Sequence, residues 1–243
     1  MKYSLFLFTL LCISWSARSE PALTVVTELS PPNQTLINNQ VSGDSTQLVK
    51  AIFAKAELTA NIEVYPWARA YKMALKKPHT FIFSMAKTPE RENKFEWIGA
   101  VATYQMGFVK LTQRADINIT TSEQAKQYKV AVQRDDLSAK QLSERGYTII
   151  YTSDITRSYQ LLISGKVDLI VDDKNYIAAM AEQLAQDEQN FTFAHSIDFL
   201  AMKGYLAANK NTDPRYIKAL KDAFEDVAKS ETYRKVMMLT EYN

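Results

Sequence analysis

Short apolar runs alternate with amphipathic stretches along this chain, and that rhythm limits its fold more than any other feature. Leu23 to Val26 reads as a buried strand, and Leu48, Val49, Ile52, Phe53 and Ala56 follow at helical spacing. Asn61–Tyr65 is strand-like, Trp67–Leu75 a short helix and Thr80–Ala86 (TFIFSMA) a strand; Thr103–Leu111 is a longer extended run. The pattern then restarts. Lys129–Gln133 is a strand, and Leu137–Arg145 a helix stopped at Gly146, a good C-terminal signal. Tyr147–Tyr151 is a strand, and Ile155, Tyr159 and Leu162 mark a helix that Gly165 ends. Val167–Val171, the helix Tyr176–Leu184 and the strand Phe191–Ile197 follow. Gly204–Ala208 is extended, and Asp213-Pro214 opens a last helix with a cap residue and a proline at its first position.

Strands alternating with helices argue a parallel-type sheet covered on both faces. The two series, near 22–86 and 129–197, predict two similar α/β lobes. No linker rich in Pro, Gly or Ser separates them. The joins are the extended segments near Tyr104 and Gly204, so the expected object is a clam whose mouth is a ligand site.

The first nineteen residues differ from the rest. Lys2 gives a positive start, Tyr3–Trp15 is apolar and uncharged, and Ala17-Arg18-Ser19 precedes a candidate cut before Glu20. That is the layout of a secretory signal peptide. The run is too short to span about 30 Å of hydrocarbon at about 1.5 Å per residue. Cys12, the single cysteine, lies inside this leader, so the processed chain would hold no disulfide, thiolate metal site or cysteine nucleophile. Removing Lys2 and Arg18 lowers Lys+Arg from 29 to 27, against 27 Asp+Glu. A near-zero net charge gives no footprint for nucleic acid and no polybasic membrane tether.

The enzyme inventory is thin. His79 and His195 have no partner at a catalytic spacing, no cluster of metal ligands occurs, and neither a GxSxG nor a phosphate-binding loop is present. No metal or cofactor is expected. One segment carries chemistry: Ser84-Met85-Ala86-Lys87-Thr88-Pro89-Glu90-Arg91-Glu92. Thr88 can cap a helix that begins at Pro89, which places Arg91 in the first turn, where the helix dipole disfavours a cation. A guanidinium there suits either a ligand carboxylate held by its planar fork or a salt bridge to a neighbouring glutamate. Ser84 adds a hydroxyl at the carboxyl end of a strand, where open α/β sheets bind ligands.

With its surroundings this segment resembles the bacterial extracellular solute-binding proteins of family 3. The landmarks are Thr27-Glu28, Pro31-Pro32, Gly43 before the helix at Thr46, Thr88-Pro89-Glu90-Arg91, Phe95-Glu96-Trp97-Ile98-Gly99, and Gly165 through Asp173. The resemblance covers nearly the whole chain after the leader. It implies the two-lobed periplasmic binding protein (type II) fold, with lobe 1 formed by residues 20–104 plus 204–243 and lobe 2 by 105–203. It also implies a periplasmic, monomeric, non-enzymatic receptor that closes on a small polar solute and delivers it to the permease of an inner-membrane ABC importer. Arg91 would clamp a ligand carboxylate with help from Thr88 and Ser84, and Asp173 would take an ammonium group.

Departures from the family pattern point elsewhere. Ser30, Asn33 and Asp44 stand where relatives place aromatics against the ligand, which leaves Trp67 and Tyr65 as substitutes or as ordinary packing. Arg69, one turn into the same helix, is either a second cleft cation or a solvated side chain. Asp135-Asp136 replaces a Gly-Thr pair, and Ala86 stands where a hydroxyl is frequent. With Glu28, these acids would make the cleft rich in carboxylates and suit a cationic or amine-rich ligand. Two other readings of the same scaffold are a soluble sensory module for a membrane receptor and a dehydratase-like enzyme using Glu28, Asp135 or Asp173 as general acid.

Overall fold

A computed structural model describes residues 22–237; the leader and its proposed cleavage site lie outside them. The elements are β1 (Leu23–Thr27), β2 (Thr35–Ile37), β3 (Gln40–Ser42), α1 (Asp44–Lys55), β4 (Ala60–Val64), α2 (Trp67–Lys76), β5 (Thr80–Ala86), α3 (Pro89–Glu92) and β6 (Phe95–Leu111). After them come β7 (Lys129–Gln133), α4 (Leu137–Glu144), β8 (Thr148–Thr152), α5 (Ile155–Ile163), β9 (Leu169–Asp173), α6 (Ile177–Gln183), β10 (Phe191–Asn209), α7 (Pro214–Val227) and α8 (Glu231–Val236).

The eight-stranded sheet runs β4-β1-β5-β10-β6-β9-β7-β8. β1 lies parallel between β4 and β5, and β7 lies parallel between β8 and β9. Each half therefore places its first strand centrally and closes with an antiparallel long strand, β10 against β5 and β6 against β9. β6 spans 17 residues and β10 spans 19. They run antiparallel past each other from one half into the other, with Tyr104 opposite Met202 and Ala102 opposite Gly204. Two passes of chain at one place make a hinge, and the fold is two-lobed.

β10 corrects one sequence expectation. Phe191–Ile197 and Gly204–Ala208 belong to a single strand, whose pairing with β6 is irregular between Ser196 and Ala201. β6 likewise begins eight residues earlier than the extended run read from the sequence.

Apolar periodicity explains the packing. Val25, Phe81 and Phe83 are shielded completely and meet Leu48, Val49 and Ile52 of α1 and Leu220 of α7. On the other face of the same strands, Val26, Ile82 and Met85 meet Trp67, Ala70 and Ala74 of α2. The second half has two faces also, one around Phe108, Val130 and Leu142 and one around Tyr159, Leu162 and Ile170. Each buried Val, Leu, Ile, Phe or Met among them contributes about 1.5–3 kcal/mol. All four clusters stay on their own side of the β6/β10 crossing.

Helix starts follow local chemistry. Asp213 accepts from the Arg215 amide with Pro214 at the first position, Asp154 caps α5 through the Arg157 amide, and Asp136 caps α4 through the Leu137 amide. Among the described residues no helix is long and apolar enough to cross a membrane, and no group of three or more metal-ligating side chains is assembled.

Candidate functional site

The carboxyl ends of β1, β5, β7 and β9 face one another across the crossing strands, where open α/β sheets place ligands. Between them lies a cavity of about 730 Å³, its open mouth included. The first half lines it with Glu28, Ser30, Trp67, Ser84, Ala86 and Arg91; the second with Val132, Gln133, Asp136, Asp172 and Tyr176. Tyr104, Met106 and Met202 come from the crossing strands themselves.

Arg91 is 8% exposed. Thr88 caps α3 as the sequence predicts, its hydroxyl accepting from the Arg91 amide at 3.3 Å. The guanidinium sits 5.3 Å from the Trp67 ring and 5.1 Å from the Tyr71 ring, in cation–π contact with both. Nη1 donates to the Ala86 carbonyl and Nη2 to the Asp135 carbonyl, each at 3.4 Å. The salt bridge to a neighbouring glutamate, left open by the sequence, is not made: Glu92 pairs with Lys87, and Glu90 with Lys94 and Lys140.

Two strand ends carry backbone that L-residues rarely adopt. Ser84 has φ +61° near the end of β5, and Asp135 has φ +61° just after β7. Asp135 thereby turns its carbonyl toward the opposite lobe, where it accepts from Trp67 Nε1 at 2.9 Å as well as from Arg91. Asn33 bonds the Tyr176 hydroxyl and Lys140 pairs with Glu90, so these contacts bridge the cleft as well. Gly204 packs behind Ser84; a Cβ there would lie 2.9 Å from the Ser84 backbone and 2.8 Å from the Tyr104 ring.

The carboxylates divide by environment. Glu28 Oε2 is shut off from solvent with no hydrogen-bond partner, and so is Gln133 Oε1. Burial drives the Glu28 carboxyl well above its ordinary value; the charge of Asp136 adds to this, and a hydrogen bond with Gln133 opposes it. Asp172 accepts from the Tyr159 hydroxyl and the Asp173 amide, both at 2.8 Å. Burial nevertheless pushes its carboxyl up to about 7. Tyr104 also titrates above its ordinary value, again chiefly through burial.

The cavity thus brings together Arg91, Ser84, Trp67 and Glu28 from the residues expected. Asp135 contributes its carbonyl. Thr88 stands behind as the cap. Asp173 is fully buried outside the lining, its carboxylate accepting from the Gln105 amide and from the amide and side chain of Asn175. Arg69 is exposed and lies over Tyr65 at 4.1 Å, and neither residue lines the cavity. Gln133, Asp172 and Tyr176 escaped the sequence reading. The usable signal was position: Gln133 ends β7, and Asp172 stands next to last in β9, at the ligand-facing ends of parallel strands. Neither histidine lines the cavity; His79 packs edge-on against Tyr216.

Comparisons with solved structures show the same fold. A histidine kinase sensor domain with similarity to periplasmic binding proteins superposes with a TM-score of 0.77 at 15% identity, over 88% of this chain and 93% of that one. An ancestral arginine-binding protein bound to arginine gives 0.75 at 21%, over 88% and 96%. An amino acid ABC transporter substrate-binding protein from Streptococcus pneumoniae, bound to L-arginine, gives 0.75 at 14%, over 90% and 92%. No curated protein sequence matches. The family model for bacterial extracellular solute-binding proteins, family 3, matches residues 23–238, nearly all of the 243-residue chain, and the chain belongs to that family.

Proposed function

We propose that this protein is a periplasmic receptor that closes its two lobes on a small polar solute, an amino acid or a related amine or carboxylate, and delivers it to the permease of an ABC importer. The observation that carries this reading is a polar cavity built from both lobes and bridged by direct contacts between them. Such a site binds by closure about a hinge. Lobe 1 then comprises residues 20–104 plus 204–243 and lobe 2 residues 105–203. In this reading Arg91, Trp67, Ser84 and Glu28 meet the ligand from lobe 1. Thr88 holds Arg91 in place, and Asp173 ties the hinge strand β6 to β9 behind the cavity.

A thermal-shift screen of the chain, unfolded and refolded to strip carried ligand, tests this. The panel holds amino acids, polyamines, short peptides and small organic acids. A ligand at ~100 times its dissociation constant stabilises by about 2.7 kcal/mol. For a protein of this size that is a rise of several degrees, at about 2–4 °C per kcal/mol. Release of a chemically changed product would instead favour an enzyme.

The likeness to a sensor domain supports a second reading, in which the closed form is presented to a membrane receptor. Co-purification with a permease or with a kinase separates the two.

A further inference from the structure

We propose that the ligand of this cavity is an organic cation with an aliphatic body and no carboxylate, such as an alkyl diamine or an alkylguanidinium amine, seated against Glu28 and Gln133. This rests on the solute-capture reading and narrows it.

Charge is the first argument. Glu28, Asp136 and Asp172 line the cavity against one cation, Arg91. Burial holds the Glu28 carboxyl toward its neutral form; an entering ammonium or guanidinium favours its ionised form and pairs with it, whereas an entering carboxylate gains no such partner there.

Donor use at Arg91 is the second argument. A bidentate carboxylate needs two guanidinium N–H groups directed at it. Two of its five N–H groups, one on each terminal nitrogen, already donate to backbone carbonyls, one of them on the opposite lobe, and Trp67 and Tyr71 attend the cation, so fewer donors are left for a ligand carboxylate. Besides facing the cavity, Arg91 serves closure: with Trp67 it grips the Asp135 carbonyl that the left-handed turn presents.

A pair of buried acceptors points the same way. Glu28 Oε2 and Gln133 Oε1 are both without partners, though the two side chains interact with each other. Unmet buried acceptors are costly, and what they lack is a donor. One ammonium, with three N–H groups, satisfies both. Apolar side chains share the lining with these polar groups, among them Met106, Met202, Val132 and Val171, and can cover a methylene chain.

Calorimetric titration of the stripped protein with agmatine and cadaverine, against L-arginine and L-lysine, tests the proposal. Within each pair the two compounds differ only by the α-carboxylate. The carboxylate-free member should bind at least tenfold more tightly, and Glu28→Gln should weaken it at least tenfold. Gln133→Leu, which removes one acceptor and leaves every charge in place, should weaken it severalfold and guards against misfolding of the first variant. Equal or tighter binding of the amino acids overturns the proposal, as does undiminished binding by both variants. Silence of all four compounds overturns it too. If the wider screen then finds another solute, the capture reading stands alone; if that screen is also silent, both fall.

Discussion

The two lobes share one strand order and present the cavity with opposite chemistry. In both, the first strand is central and a long antiparallel strand closes the set. Lobe 1 offers a cation between aromatic rings, Arg91 with Trp67 and Tyr71; lobe 2 offers acceptors, in the Asp135 carbonyl, Gln133, Asp136 and Asp172. Glu28 is the acid that crosses this division. A common scaffold thus carries an asymmetric site, because the residues at strand ends change without disturbing the sheets beneath them. Each lobe also holds one non-glycine residue in left-handed backbone at its ligand-facing edge, Ser84 and Asp135. Such backbone costs about 1–3 kcal/mol per residue and collects at functional sites.

Trp67→Ala breaks the comparison most severely. The indole is buried in the lobe 1 core and bridges to Asp135, so its loss should cost about 3–5 kcal/mol in denaturant unfolding. Trp67→Phe keeps most of the packing and removes only the bridge. It should leave stability within about 1.5 kcal/mol and speed ligand dissociation, measured by stopped flow. Gly204→Ala strikes the crossing strand that serves both lobes. Its new Cβ would press on Tyr104 and the Ser84 backbone, and overpacking of this kind costs about 1–3 kcal/mol, visible as a lowered melting temperature.

Asp172→Asn sharpens the comparison through pH. The Asp172 carboxyl titrates near 7 when folded against an ordinary 3.8, so the folded state binds the extra proton between those values. Stability from this group is therefore lost as pH rises across that window, and Asp172→Asn should flatten that part of the profile. Glu28 acts in the same direction, with Gln133, Asp136, Asp172 and Arg91 as its neighbours. Lys140→Ala removes the exposed ion pair with Glu90 across the cleft. Its effect on closure should be the smallest and should vanish at high salt.

The alternating pattern made most of the fold legible, because buried strands such as Thr80–Ala86 and faces such as Leu48–Phe53 record their surroundings directly. The crossing strands were read only in pieces. β10 passes from one lobe to the other, so Asp198, Phe199 and Ala201 are exposed between buried neighbours and no single period survives. Hairpin β2–β3 and helix α8 were missed as short elements. Their local signals, the Asn38-Asn39 turn with positive φ and the Ser230 cap on α8, are brief. In the site, Arg91 was legible because a cation in a first helical turn needs a reason. Its actual neighbours were not: the Asp135 carbonyl is backbone, and only a turn in three dimensions aims it at lobe 1. Likewise, adjacent strand residues face opposite sides, so Asp172 reaches the cavity while Asp173 turns away.

The order in which the chain leaves the ribosome meets this architecture unevenly. Residues 106–202, which hold both cores of lobe 2, are contiguous. The main core of lobe 1 joins Leu23–Val101 to Leu206–Met237 across that insertion. Lobe 2 can therefore complete itself during synthesis, while lobe 1 must hold β1, β4 and β5 with α1 and α2 unfinished until its last segment emerges. The exposed apolar faces of that half-built lobe are where a holding chaperone would bind, and where slow translation would do most harm.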